Sequence, residues 1–475
     1  MMLNIKHQFM PKDHSSSRRK FLQQLTGTTL LLSAGSLQKL TAEEAVENRI
    51  IHYENKISSN DKVNVACIGM GIMGFNDVQT SVKVPGVQLI AACDLYDGHL
   101  QRVKELYGKD IFTTRNYKEI LDRKDIDAVI IATSDHWHDR ISIEAMKKGK
   151  AVYCEKPMVH KLSEGLAVVN TQKETKAVFQ VGSQRVSSIA FLEAKKQYEA
   201  GVIGQLNCIE ASFDRHSALG AWQYSIPPDA SPKTVDWENY QGNAPKKSWD
   251  PNRFFRWRNY RDYGTGVPGD LFVHLISGIH FITSSYGPVR IFTTGALTFW
   301  KDGRDVPDVM VGVMEYPETK EHPAFQVMLR VNFASGLGDK GVTKLIGSEG
   351  VIDMNGNGFV ISREKLPKAP GYGGWDTYNT FPEATQKEYK EQYDKKYTAD
   401  ERKAAKIPDI SYKAPAGYNE HLDHHINFIE AVRSGKKVVE DAVFGFRAAG
   451  PCLACNDSYF SRKAINWDPV GMKMM

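Results

Sequence analysis

The stretch Val63-Asn64-Val65-Ala66-Cys67-Ile68-Gly69-Met70-Gly71-Ile72-Met73-Gly74 decides how this chain is read. An apolar run ends on G-x-G-x-x-G, and a helical pattern follows from Phe75 to Val82. On its own, G-x-G-x-x-G is only a glycine-rich turn. Between a strand and a helix it suits a dinucleotide, because glycines let the backbone turn tightly and approach a pyrophosphate at the helix N-terminus. The next strand, VQLIAACD, ends in Asp94, twenty residues past Gly74. A carboxylate there suits the adenosine ribose and disfavours a 2′-phosphate, so NAD is expected over NADP, a preference that neighbouring side chains can override. Gly69, Gly71, Ile72, Met73, Gly74 and Asp94 form the first group of candidate cofactor residues.

Outward from that turn, strand and helix keep alternating. Strands are expected at Ala128–Ala132, at Ala151–Cys154 and near Val178, with helical stretches between them. That order predicts an α/β fold: a Rossmann-type, doubly wound parallel sheet over residues 62–185. From about Val186 the pattern changes. LEAKKQYEAGVIGQL reads as a helix closed by Gly201 and Gly204, and a run of strands follows: LNCIEASF, RIFTTGALTFW, VMVGVMEYP and FQVMLRVNF. A run of strands predicts a C-terminal α+β domain, residues 186–475, with an open, largely antiparallel sheet. Gly347-Ser348-Glu349-Gly350 reads as a hairpin in it. Residues 364–418, rich in Lys, Pro, Gly and Tyr, read as an insertion, and 419–475 as helices returning to the first domain.

Three further stretches carry a resemblance. Ala132-Thr133-Ser134-Asp135-His136-Trp137-His138 follows the third main strand, Glu155-Lys156-Pro157 follows the next, and Gly269-Asp270-Leu271-Phe272-Val273-His274 lies far downstream. With the glycine turn, these resemble the glucose–fructose oxidoreductase, inositol dehydrogenase and rhizopine-catabolism (Gfo/Idh/MocA) family over roughly residues 62–460. The resemblance implies that the lysine of E-K-P and the pair of D-x-x-x-H form the catalytic set, here Lys156, Asp270 and His274. It implies the same two-domain fold, and a homo-oligomer built on the open sheet.

The residue chemistry supports those roles. Oxidising a secondary alcohol needs a base for the hydroxyl proton, which an imidazole such as His274 can be. The developing oxyanion needs a positive donor, which Lys156 can supply from the carboxyl end of a parallel strand. Asp270, four residues before His274, shares a helical face with it and can orient the imidazole or bond a substrate hydroxyl. The bland alternative for His274, amid Leu271, Phe272, Val273 and Leu275, is a satisfied core histidine. Thr133, His138, Glu155 and Gln184 complete the candidate cofactor residues, Glu155 as a brace of its loop, and Arg185 can reach the site from the domain crossover.

Between Phe213 and Tyr263 lie four of the chain's eight tryptophans (Trp222, Trp237, Trp249 and Trp257), interleaved with Arg253, Arg256, Arg258 and Arg261. Aromatic faces beside polar groups suit a sugar, and the alternative is an aromatic core loop. Arg256-Trp257-Arg258 is the preferred substrate contact. An acidic sugar or a phosphate would fit those arginines, and a neutral sugar stays open.

The remaining features bound the function. Hydrophobic residues at 41% and charged residues at 25% mark a soluble globular chain of 475 residues. Residues 1–45 hold six Lys/Arg against three Asp/Glu, so the net charge of +5 owes much to them. The remainder gives no reason to expect nucleic acid as a partner. Ser17-Arg18-Arg19-Lys20-Phe21-Leu22, followed by an apolar run from Leu25 to Ala34, resembles a twin-arginine (Tat) export leader, too short for a membrane anchor. The alternative is a basic arm. Residues 46–61 read as a linker. The six cysteines are expected as free thiols, Cys67, Cys93 and Cys154 in buried strands, and Cys452-x-x-Cys455 lacks the context of a redox pair. No metal is expected at His421, His424 and His425, whose i, i+3, i+4 spacing has no acidic complement.

Together these readings predict a periplasmic NAD-dependent oxidoreductase acting on a carbohydrate hydroxyl or carbonyl. Tat export carries folded proteins, so the cofactor can travel inside its holder and would be retained and recycled. The alternative is an NAD-dependent glycoside hydrolase or lyase that oxidises C3, eliminates the aglycone and re-reduces. The family's glycosidases carry a tyrosine/threonine–histidine signature where this chain has PGDLFVH, which places that reading second.

Overall fold

The computed structural model describes residues 61–475; the expected leader and nearly all of the linker lie outside them. The first sheet contains β1 (Val63–Ile68), β2 (Val87–Cys93), β3 (Phe112–Thr114), β4 (Ala128–Ile131), β5 (Ala151–Glu155) and β6 (Phe179–Gly182). Their order is β3-β2-β1-β4-β5-β6, and every pairing is parallel. β1 and β4 are buried along nearly their whole length, as strands covered on both faces by crossover helices must be. Chain direction across the sheet reverses between β1 and β4. The crevice outside their carboxyl ends is where such sheets take ligands.

The second sheet has ten strands: β7 (Leu206–Asp214), β8 (Arg290–Ala296), β9 (Val309–Tyr316), β10 (Phe325–Asn332), β11 (Lys340–Gly347), β12 (Gly350–Met354), β13 (Gly358–Lys365), β14 (Ala405–Lys413), β15 (Ile465–Asp468) and β16 (Lys473–Met474). The order is β14-β13-β12-β11-β7-β10-β9-β8-β15-β16. β7 and β10 run parallel and the other pairs antiparallel, so the sheet is mixed but mostly antiparallel. Burial alternates along β9 and β10, with one face packed and the other open. The packed face meets the helices Val273–Thr283 and Ala442–Ser461, while Phe292, Val311, Val313 and Met328 are exposed on the strands.

β11 and β12 form the hairpin expected at Gly347–Gly350. Residues 364–418 hold an exposed helix, Glu383–Lys396, and the edge strand β14. The helix Glu420–Ser434 returns to the first domain, where its Phe428 and Ile429 join Val63, Val65 and Cys67 in one core. His424 and His425 are committed there. The His424 ring lies 2.7 Å from both Ser187 Oγ and the Val181 carbonyl, and His425 stacks on Tyr153 at 4.5 Å and approaches Asp77 Oδ1 at 3.4 Å. All six cysteines are free. Among the described residues no helix is long and apolar enough to cross a membrane.

Candidate active site

Each glycine of the turn has its own physical reason. Gly69 has φ +93°, and a Cβ there would lie 2.6 Å from the Ala132 carbonyl carbon, inside the β4 terminus. A Cβ on Gly74 would fall 1.9 Å from the Gly69 carbonyl oxygen, so the helix Ile72–Ser81 packs directly on the turn. Gly71 caps that helix and has nothing within 4 Å of its missing Cβ. It faces a cavity of about 740 Å³. The main-chain turn, the open space before it and the helix N-terminus fit a dinucleotide pyrophosphate.

Asp94 closes the far end of this cavity. Its carboxylate accepts from the Met70 amide at 2.6 Å and the Tyr96 amide at 2.8 Å, and His99 Nδ1 stands 3.2 Å away. Burial alone would raise the Asp94 carboxyl; His99 and the two amides outweigh it and hold it below the ordinary range. His99 is correspondingly raised, burial opposing and Asp94 prevailing.

At the other end lies the charged cluster. Lys156, at the tip of β5, gives its Nζ to Asp270 Oδ1 and to the Asp270 carbonyl, each at 2.9 Å. Arg258 Nε reaches the same Oδ1 at 3.0 Å. Asp270 sits in a single π-helical turn, Pro268–Phe272, that runs into the helix of His274; such turns recur at functional sites. Burial would raise the Asp270 carboxyl, but Lys156 and Arg258 overwhelm it and keep it ionised. Asp270 in turn raises Arg258 against the opposite pull of burial. His274 is pushed well below its ordinary value by burial and by the charges of Lys156, Arg185 and Arg215, with Asp270 opposing. Its imidazole is neutral, the state that accepts a proton.

Of the sequence candidates, Gly69, Gly71, Ile72, Met73, Asp94, Thr133, His138, Glu155, Lys156, Trp257 and Arg258 line the cavity. Asp270 bonds two of the lining side chains. Gly74 packs behind the turn. Gln184 does not reach the cavity wall: its amide donates to Glu155 Oε1 at 2.9 Å and to the Tyr153 hydroxyl at 3.2 Å, so it positions Glu155. Glu155 is buried, and burial followed by the charge of Asp77 drives its carboxyl well up. His138 opens the helix His138–Lys147, its ring 2.7 Å from the Pro157 carbonyl and 3.1 Å from that of Thr133. It ties the loops after β4 and β5 together.

One substrate expectation is corrected, and the aromatic stretch divides between its two readings. Arg256 is spent internally, donating to the Tyr224 carbonyl at 2.7 Å and to Gln223, and does not face the cavity. Trp222 and Trp237 are core residues, Trp222 against Phe333 and Trp237 against Tyr240, while Trp257 lines the cavity. His99, Trp137, Tyr224 and Tyr240 also line it and were not singled out from the sequence. Trp137 sits in the quoted His136-Trp137-His138 stretch, whereas His99 and Tyr224 carry no local signal. Asp135 was missed as a positioning residue: its Oδ2 accepts from the Thr265 amide at 2.9 Å and hydroxyl at 2.7 Å, joining the loop after β4 to the one that leads into Asp270.

A doubly wound parallel sheet with a glycine turn at its switch point is the architecture of a dinucleotide-binding domain. Residues 63–183 match the Gfo/Idh/MocA family model, described as an oxidoreductase family with an NAD-binding Rossmann fold. A scyllo-inositol 2-dehydrogenase (NAD(+)) of Bacillus subtilis is 34% identical over 145 residues, 30% of this chain and 42% of that protein. Glycosyl hydrolase family 109 protein 1 of Akkermansia muciniphila is 29% identical over 266 residues, 49% of this chain and 54% of that one. The chain thus matches about half or less of the length of these curated relatives. Among solved structures, levoglucosan dehydrogenase in complex with NADH and levoglucosan superposes with a TM-score of 0.60 at 18% identity, covering 85% of this chain and 99% of that one. That likeness extends the shared fold through the second domain.

Proposed function

We propose that the protein is an NAD-dependent oxidoreductase that interconverts a hydroxyl and a carbonyl on a sugar or sugar derivative. The observation that carries this reading is the Lys156–Asp270–Arg258 cluster, whose Lys156 and Arg258 line the same cavity as Gly69 and Gly71, with His274 four residues beyond Asp270. A nicotinamide nucleotide bound in that cavity supplies the acceptor or donor of hydride. The protein's own residues handle the proton and the charge. Lys156 spends two donor directions on Asp270 and keeps a third for the substrate oxygen. Its positive charge stabilises that oxygen as it becomes an alkoxide. His274, held neutral, accepts the hydroxyl proton. Asp270 and Arg258 hold the lysine in place.

The second reading is supported by the glycosyl hydrolase family 109 relatives. The same residues would then serve a redox-neutral cycle of C3 oxidation, elimination and re-reduction. Export and cofactor retention belong to the proposal as well, supported by the Ser17–Leu22 sequence. A retained cofactor explains why a nucleotide enzyme could work outside the cytoplasm.

One experiment separates these readings. The purified protein is denatured to assay released nucleotide, and the native protein is offered free sugars and aryl glycosides separately. Growth of reduced-nicotinamide absorbance with a free sugar supports the oxidoreductase. Aryl release without net absorbance change supports the redox-neutral cycle. Absence of both, with no nucleotide released, contradicts the function.

A further inference from the structure

Arg256 and Arg258 have internal polar partners, whereas Arg185 and Arg215 form no salt bridge among the described residues. Arg185 lies in the Gln184–Ser187 turn, which packs on the helix carrying His274. Its guanidinium stacks over Phe213 at 5.0 Å and makes no hydrogen bond or salt bridge among the described residues. Arg215 donates to the Gly220 carbonyl at 3.2 Å and pairs with no carboxylate among them. With Phe213 and Tyr224 it lines a second recess of about 610 Å³, and Tyr224 is also a wall of the main cavity. The two spaces therefore adjoin at Tyr224.

The charges around His274 do not balance. Asp270, the carboxylate in its electrostatic reach, already meets two cations in Lys156 and Arg258. Glu155 is driven toward its neutral form by burial. Asp214, in the recess, is bound to Arg330 at 2.6 Å, and exposed Asp339 takes the His216 amide beside exposed Lys340. Glu420 influences Arg185 through charge without forming a salt bridge. Two partly buried guanidiniums are thus left without a salt bridge among the described residues, an arrangement that favours an arriving anion. Arg185, seated over Phe213, is a planar, weakly hydrated cation of the kind that takes carboxylates and phosphates bidentately.

We propose that the carbohydrate taken by this site bears an anionic group, a carboxylate or a phosphate ester, received by Arg185 and Arg215 beside His274. The inference rests on the reading of the cavity as a carbohydrate oxidoreductase site, and it names the substrate class for that site. It also has a mechanistic consequence. An anion placed there offsets the positive charges that depress the imidazole, so the substrate itself brings His274 toward the range of an effective base.

The test is calorimetric titration of the nucleotide-loaded protein with matched sets: glucose, glucuronate and glucose 6-phosphate, and the corresponding galactose series. At least one anionic member is expected to bind about tenfold or more tighter than its neutral parent, with an advantage that shrinks as salt is raised. Arg185→Gln and Arg215→Gln should each remove most of that advantage, and Arg185→Lys should restore part of it. The carboxylate and phosphate arms distinguish the two sources of anion. Neutral sugars binding as tightly as every acid, or acid binding unaltered in both glutamine variants, would overturn the inference. Oxidation of a neutral sugar without anion preference would overturn it while leaving the proposed function standing; nicotinamide absorbance unmoved by any sugar, with no aryl release, would sink the function itself.

Discussion

The two walls of the crevice differ in how they are made. On the nucleotide wall, Gly69 and Gly71 act through bare backbone, and Asp94 is met on all sides by the amides of Met70 and Tyr96 and by His99. The facing side is built from side chains of distant segments: Lys156 and Arg258 on the wall itself, Asp270 and His274 behind them, Arg215 in the adjoining recess and Arg185 on the turn that packs against the helix of His274. There one buried carboxylate holds two cations, and two more go without. The first wall is finished before any ligand arrives. The second is an electrostatic arrangement that an anionic substrate completes.

If the nucleotide wall depends on missing side chains, a single methyl should break it. Gly69→Ala places a Cβ against the Ala132 carbonyl and forces an L-residue to φ +93°. We expect nucleotide retention to be lost and stability to fall by roughly 3 kcal/mol or more, read by nucleotide release and urea melts. Gly71→Ala, with open space at its Cβ, should fold normally and lose only nucleotide affinity.

If the substrate wall depends on charge, removing its carboxylate should be nearly as damaging. Asp270→Ala leaves Lys156 and Arg258 without their shared anion, and a loss on the order of 3 kcal/mol is expected in the same melts. Asp270→Asn keeps an acceptor and should cost less. Equal stability of wild type and both variants would show that the cluster is not held by charge.

The smallest effects are pH dependences, and they should have opposite signs in two places. His99 is raised by Asp94, so its stabilising contribution is complete below its unfolded value near 6.5 and fades as pH rises through its folded value. His424 is lowered to about 3 by burial, so the folded protein loses stability relative to the unfolded chain as pH drops below about 6.5. Urea melts should therefore show the gap between wild type and His99→Gln narrowing toward alkaline pH. The gap to His424→Gln should narrow toward acid, by at most about 1.4 kcal/mol per pH unit.

The same contrast explains what could be read in the sequence. The nucleotide wall comes from contiguous runs, where strand, turn and helix sit within thirty residues, and Gly69 to Asp94 could be placed from spacing alone. The alternation of β9 and β10 was equally plain. Lys156, Asp270 and His274 came through a family resemblance, and the fold then brought them together. Partnerships were not legible. Nothing local says that Arg256 turns back on Tyr224, that Trp222 is core, or that Gln184 braces Glu155. Each depends on contacts between segments far apart in the chain, which no periodicity records. Nor did spacing show that His424 and His425 lock the last helices onto the first domain.

Gly69, Gly71 and Lys156 line one cavity, so a nucleotide held at the glycine turn would have Lys156 within the same space. The most direct measurement is the sugar-driven rise of reduced-nicotinamide absorbance in purified wild type and Lys156→Met, each assayed for nucleotide released on denaturation. Equal nucleotide content is expected, with a rate lower by about 10²–10³-fold in the variant. An unchanged rate, or a rate loss matched by loss of bound nucleotide, would contradict it.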